Sequence, residues 1–160
     1  MINVNKSAGP FSLILVLLSL LASSCSDNSI SFNEEIPGGE WSRYNIPRFE
    51  AGISDTLNTY DILISLRNSY NYPYRNIFLF VKTVSPRGYS IKDTLEYQLA
   101  DESGKWYGRG LGDIHNISLP YKSNVLFPDT GTYIFSIEQG MRQDKLEGII
   151  DVGMIIRKAE

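Results

Sequence analysis

The chain has 160 residues, enough for one domain with a substantial core and too few for two of ordinary size. Its formal charge of -3 argues against nucleic-acid binding, which needs basic patches to replace counterions. One cysteine and one histidine exclude an internal disulfide, a cysteine-rich zinc site and a multi-histidine metal site, and no cofactor is expected.

Residues 1–24 read as an export signal rather than as part of the fold. Lys6 and the amino terminus form a weak positive region, and Phe11 to Ala22 is almost wholly apolar. That run is shorter than the ~20 residues that cross a bilayer, and it suits the hydrophobic region of a signal peptide. It ends in Leu21-Ala22-Ser23-Ser24-Cys25, which resembles a bacterial lipobox with Ala22 where leucine is usual. The expectation is cleavage before Cys25, a diacylglycerol on its thiol and an acyl chain such as palmitate on its amine. An ordinary secretory signal would instead leave an unpaired thiol in an exported protein. More than one acyl chain anchors firmly to a membrane where a single chain would be marginal. Residues 25–40, polar and broken by Pro37-Gly38-Gly39, read as a lipidated tether. The domain is then residues 41–160, with Trp41 in the core or plugging a strand end, and Pro47 placing the first strand at an edge or marking its end.

From Tyr60 the pattern is that of strands. Tyr60, Ile62, Ile64 and Leu66 share one face, and Asp61, Ser65 and Arg67 share the other with Leu63. Ile77 to Val84 is apolar on both faces, which predicts a central strand covered on both sides. Between them, Asn68 to Asn76 carries Tyr70, Tyr72 and Tyr74 with Arg75 adjacent. Tyrosine and arginine are typical contact residues, so these four form the candidate interaction surface. Ser85-Pro86-Arg87-Gly88 is a tight turn into a strand from Tyr89 to Leu99, in which Asp93 falls on the apolar side without an evident partner.

The stretch Gly108-Arg109-Gly110-Leu111-Gly112-Asp113 lacks the lysine and hydroxyl residue of a phosphate loop, and reads as a bulge or wide loop. Asp113, His115 and Ser118 lie close in sequence but make neither a metal set nor a nucleophile elbow, and His115 is expected in an exposed loop. Trp106 is expected to pack in the core. Phe127 to Tyr133, with Asp129-x-Gly131-x-Tyr133, matches the tyrosine corner of Greek-key sandwiches. Phe135 and Ile137 should point inward beyond it. Gln139 to Glu147 reads as a helical turn or loop, and Ile149 to Ile156 as a closing strand with Val152, Met154 and Ile156 on one face. Seven or eight strands and no convincing helix predict an all-β fold, an antiparallel β-sandwich of Greek-key or jelly-roll type.

Six short motifs follow one another in the chain: Leu66-Arg67-Asn68, Tyr72-Pro73-Tyr74 with Asn76, Lys92 to Tyr97, Asp101 to Ile114, Phe127 to Tyr133 and Leu146 to Gly153. Their order across residues 60–157, together with the lipobox, resembles the gliding-motility lipoprotein family GldH of Bacteroidota. Residues 26–50 carry little of the likeness beyond Trp41. The resemblance implies a non-catalytic, outer-membrane, lipid-anchored protein of the gliding and type IX secretion-associated machinery. It would contact other envelope lipoproteins or outer-membrane proteins; since similar proteins occur in bacteria that do not glide, the resemblance also implies a general role in envelope assembly or secretion. Ser26-Asp27 resembles the start of a Bacteroidota surface-export signal, but Asn28 breaks it, which favours the periplasmic face. Asp55-Thr56-Leu57 and Asp93-Thr94-Leu95 resemble Bacteroidota O-glycosylation sites. A carbohydrate-binding lipoprotein is the alternative, with Trp106, Tyr107 and the loop tyrosines stacking on sugar rings. No nucleophile-base or metal constellation supports an enzyme.

Overall fold

Alternating apolar residues fold into the inner faces of two stacked sheets. The computed structural model describes residues 29–110 and 112–159; the expected signal peptide and the expected acylation site at Cys25 lie outside the described residues. The strands are β1 (Ile30–Glu35), β2 (Glu40–Ser42), β3 (Arg48–Ile53), β4 (Thr59–Ser69), β5 (Asn76–Val84), β6 (Ser90–Gln98), β7 (Ile114–Leu126), β8 (Gly131–Gln139), β9 (Lys145–Glu147) and β10 (Ile149–Lys158). One four-stranded sheet has the order β1-β10-β4-β7, the other β3-β8-β5-β6, and β2 and β9 form a separate ribbon. Each pairing is antiparallel, and the architecture is the all-β sandwich that the alternation predicts.

The core lies between the sheets. Ile62, Ile64 and Leu66 of β4 and Val152, Met154 and Ile156 of β10 face Phe49, Ala51 and Ile53 of β3, Ile77, Leu79 and Val81 of β5, and Phe135 and Ile137 of β8. Each large aliphatic side chain removed from water in this way contributes about 1.5–3 kcal/mol. The register sets Leu66 opposite Val152, Ile64 opposite Met154 and Ile62 opposite Ile156, so the two central strands present one continuous apolar face. On the other face of the same pair, the buried Asp151 carboxylate forms an ion pair with Arg67, its neighbour across the strands.

The tyrosine corner is present. The Asp129 N–H donates to the Tyr133 hydroxyl at 3.2 Å, and Phe127 packs between Tyr133 (4.7 Å between ring centroids) and Tyr60 (5.3 Å). Asp93 also finds partners. It bridges the two edge strands β6 and β7, accepting from the Tyr121 hydroxyl at 2.8 Å and pairing with Lys122 at 2.9 Å. The Lys122 hydrogen bond, reinforced by Tyr121, holds its carboxyl below the usual carboxylate range. Tyr97 on β6 adds a second bridge by donating to the Pro120 carbonyl at 2.7 Å. Pro120 is tolerated because β7 is an edge strand.

Four expectations are corrected. Residues 30–40 are not tether: β1 pairs along its whole length with β10, Phe32 stacks on Phe49 at 5.7 Å, and Ile36 is buried. Strand β5 is central by pairing but covered fully on one face only. On its outer face Phe78 and Phe80 are half-buried, with the Lys92 ammonium 4.7 Å from the Phe80 ring centroid and a loop from β8 over Phe78. Of the two readings of Gln139 to Glu147, the loop holds for residues 140–144, but Gln139 ends β8 and Lys145–Glu147 form β9 opposite β2, where Leu146 faces Trp41. His115 lies within β7 rather than in a loop.

Close contact between strands depends on Gly153. A Cβ there would lie 2.3 Å from the Phe32 carbonyl oxygen of β1. Gly153→Ala is therefore expected to cost about 1–3 kcal/mol, the scale of overpacking, and to raise the protease sensitivity of β1. Urea denaturation read by tryptophan emission checks it, and an unchanged midpoint would contradict this packing. A second expectation concerns alkali. Burial pushes the phenols of Tyr72 and Tyr121 well above the usual value of 10 and that of Tyr97 to about 12. Above pH 10 the unfolded chain releases protons that the folded chain retains, so stability is fully present below pH 10 and falls as pH rises toward 12. Thermal midpoints measured between pH 8 and pH 12 would read this loss.

Candidate functional site

The loop after β4 starts at a crowded junction. Ser69 N–H donates to Gly148 O at 2.8 Å, Tyr70 N–H to Asp113 O at 2.7 Å and Tyr72 N–H to Ser69 O at 3.1 Å. Two distant segments and one turn of the loop itself thus hold residues 69–72 in place. Gly148 has φ of +81°, and a Cβ on it would lie 2.4 Å from the Tyr72 nitrogen, so both conformation and space require glycine.

The four residues of the expected contact surface separate under this geometry. Tyr72 is a core residue, only 3% exposed. Its hydroxyl donates to Asn76 O at 2.8 Å, and its ring meets those of Tyr74 (5.8 Å) and Trp106 (6.2 Å). It cannot contact a partner. Tyr70 is 70% exposed, Arg75 is exposed, and Tyr74 is half-buried. The Arg75 guanidinium touches Asp101 O at 3.5 Å, and the Arg75 carbonyl accepts from Leu99 N at 2.7 Å and Ala100 N at 3.1 Å. Tyr70, Tyr74 and Arg75 therefore stand on a fixed backbone.

Tyr74 also borders an open cleft of about 490 Å³ lined with Phe78, Gly140, Met141, Arg142 and Gln143. The motifs did not point to it. Its floor is set by Gly140, whose N–H donates to Phe78 O at 2.7 Å and whose Cβ position would lie 3.1–3.2 Å from Phe80 and Phe78. Its wall is pinned by two side chains. Buried Gln139 accepts from Met141 N at 2.8 Å and donates to Gln143 O at 2.8 Å. Arg43 donates to Met141 O at 3.0 Å and Arg142 O at 3.1 Å, and pairs with Asp144 at 3.0 Å. One sequence signal could have found this site: Gln139 continues the inward parity of Phe135 and Ile137, and a buried amide needs partners nearby.

Trp106 packs as a half-buried lid, stacked on His115 at 5.5 Å and 27° and touching Tyr72. Gly108 and Gly110 allow their loop to lie against β7; a Cβ on Gly110 would be 1.7 Å from Ile114 O. The glycines thus serve backbone packing, and Arg109 and Asn116 exchange hydrogen bonds of 2.8 and 2.9 Å across the contact. A shallow depression of about 430 Å³ beside them is lined by Tyr107, Arg109, Asn116 and Ser118. Among the described residues, no group of three or more His, Cys, Asp or Glu is placed to hold a metal ion.

Comparison with known proteins gives the family context. The sequence profile of the GldH lipoprotein family matches residues 29–156. A protein of Christiangramia forsetii named gliding motility lipoprotein GldH homolog is 36% identical over 157 residues, covering 94% of this chain and 97% of its own. The gliding motility lipoprotein GldH of Flavobacterium johnsoniae is 34% identical over 154 residues, covering 92% and 96%. Among solved structures, a carbohydrate-binding module described as specific for non-crystalline cellulose aligns with a TM-score of 0.44 at 10% identity, over 82% of this chain and 74% of that one.

The division between core and surface tyrosines is open to measurement. Tyr72→Ala should cost about 3–5 kcal/mol, as for other buried aromatics. Tyr70→Ala should stay within about 0.5 kcal/mol of the parent, as for exposed positions. Chemical denaturation of both variants checks the assignment, and equal losses would contradict it.

Proposed function

This chain belongs to the GldH lipoprotein family, and we propose that it acts without catalysis, as a lipid-anchored scaffold that holds other envelope proteins against the surface formed by Tyr70, Tyr74, Arg75 and the Met141 cleft. Acylation at Cys25 tethers it to the outer membrane, on the periplasmic face. Its partners are other envelope lipoproteins or outer-membrane proteins of the gliding and secretion apparatus.

The observation that carries this reading is the pairing of exposed contact side chains with a rigid support. Exposed Tyr70 and Arg75 share a loop with Tyr74, which lines a cleft bordered by Met141, and Gln139, Arg43 and Gly148 pin the backbone around them. Side chains ordered before binding lose less entropy on association, and tyrosine, arginine and methionine are enriched at interface centres. Glycan binding is less well supported: Trp41 is buried, and Trp106 is half-buried with His115 stacked on one face.

The test is an affinity pull-down of the tagged, lipidated protein after mild cross-linking in its own membranes. Recovery of envelope proteins is expected, with at least a several-fold loss for the double variant Tyr70→Ala and Arg75→Ala and no change in retention on immobilised glycans. A preparation that yields the protein alone, or a double variant that loses glycan retention instead, would contradict the scaffold reading.

A further inference from the structure

The strand register sorts the turns to two ends. Ile30, the first residue of β1, lies opposite Ile156, which lies opposite Ile62. At the same end Tyr60 lies opposite Lys158, Thr59 opposite Leu126, Ile53 opposite Gly131 and Val84 opposite Ser90. Chain entry therefore shares one end with the 54–58 loop, the 85–89 turn, the 127–130 loop and the tail of β10. The Pro86 side chain confirms the proximity, lying 2.9 Å from where a Gly131 Cβ would be. Tyr70, Tyr74, Arg75 and the Met141 cleft belong to the opposite end, where β4 finishes, β5 begins and β8 finishes. The eleven residues of β4 separate the two ends by roughly 33 Å.

Chain length then limits where the bilayer can be. Because β1 starts at Ile30, five residue steps from Cys25, its first residue lies at most about 18 Å from an acylated cysteine. The end that must come close has the surface for it. Leu57 is 90% exposed, Tyr89 73% and Leu126 58%, and Leu57 lies two residues from Thr59, the partner of Leu126. The charges around them are paired: Lys158 with Asp55 at 2.8 Å, Arg87 with Asp129 at 3.6 Å and Arg157 with Asp61 at 3.9 Å. Lys158 and Asn58 hold the Asp55 carboxyl far below its usual range, so this pairing persists at any ordinary pH. Such an end is apolar and aromatic at its tips and locally neutral, which suits the headgroup layer of a zwitterionic leaflet; a polybasic surface would instead need anionic lipid.

We propose that the sandwich stands with this end on the bilayer, Leu57, Tyr89 and Leu126 in the headgroup layer of the leaflet that holds the Cys25 acyl chains, and the Tyr70–Arg75 surface turned away from the membrane. The proposal rests on the anchoring at Cys25 in the function proposed above, and it adds an orientation to that anchoring. Partners would then be met some tens of ångströms from the lipid.

Tryptophan quenching tests the orientation, because Trp41 and Trp106 both lie at the far end. The full lipidated chain is reconstituted in phosphatidylcholine vesicles with and without lipid brominated near the top of its acyl chains. Flotation and intact mass report anchoring independently. The expected result is intrinsic emission unchanged by bromine, with the emission added by Leu57→Trp or Leu126→Trp falling at least about twofold, equally at low and high salt, as interfacial apolar contact requires. Acylated protein that floats while the added tryptophan stays unquenched, or while Trp106 is quenched, would overturn the orientation and leave the anchoring standing. A chain without acyl mass that fails to float would overturn both.

Discussion

The pairing of β1 with β10 is the constraint on which the rest of the structure depends. β10 lies between β1 and β4, so the last strand joins the chain's entry to its central hairpin. The pairing is possible because Gly153 lets the β1 backbone come closer than any side chain would permit. It places Phe32 against Phe49 of the opposite sheet and delivers Ile36 and Trp41 into the core. It also removes most of the slack that a long tether would have given. A sheet that begins at Ile30 starts only five residue steps after Cys25, a reach of at most about 18 Å.

Two ends of different character follow from this arrangement. The end at chain entry carries exposed apolar tips among paired charges. The other carries tyrosine, arginine and a methionine-lined cleft on backbone fixed by hydrogen bonds from distant strands. Between them Tyr97, Asp93, Tyr121 and Lys122 hold the edge strands β6 and β7 together, so the open side of the sandwich is bridged by side chains. Membership of the GldH lipoprotein family places this sandwich among proteins named for gliding motility.

The sequence disclosed what local physics decides. Period-two burial identified β4, β8 and β10, and Asp129-x-Gly131-x-Tyr133 identified the corner, because each signal is contained in a few adjacent residues. β1 was hidden because only Ile30 and Phe32 of its inward positions are apolar, and its partner lies 120 residues away. The loop tyrosines were hidden for a related reason. Outside a strand, parity says nothing about direction, and Tyr72 is buried by Gly148 and Trp106, which sequence distance does not connect to it. The cleft was least legible, since Gln139, Arg43 and Met141 come from separate elements and signal nothing singly.

The most direct measurement is site-specific photo-cross-linking in living cells, with the reactive amino acid placed at position 70 in one strain and position 57 in another. The account predicts protein adducts from position 70, repeated at position 142 across the cleft, and none above background from position 57. Protein adducts concentrated at position 57, with position 70 silent, would contradict it.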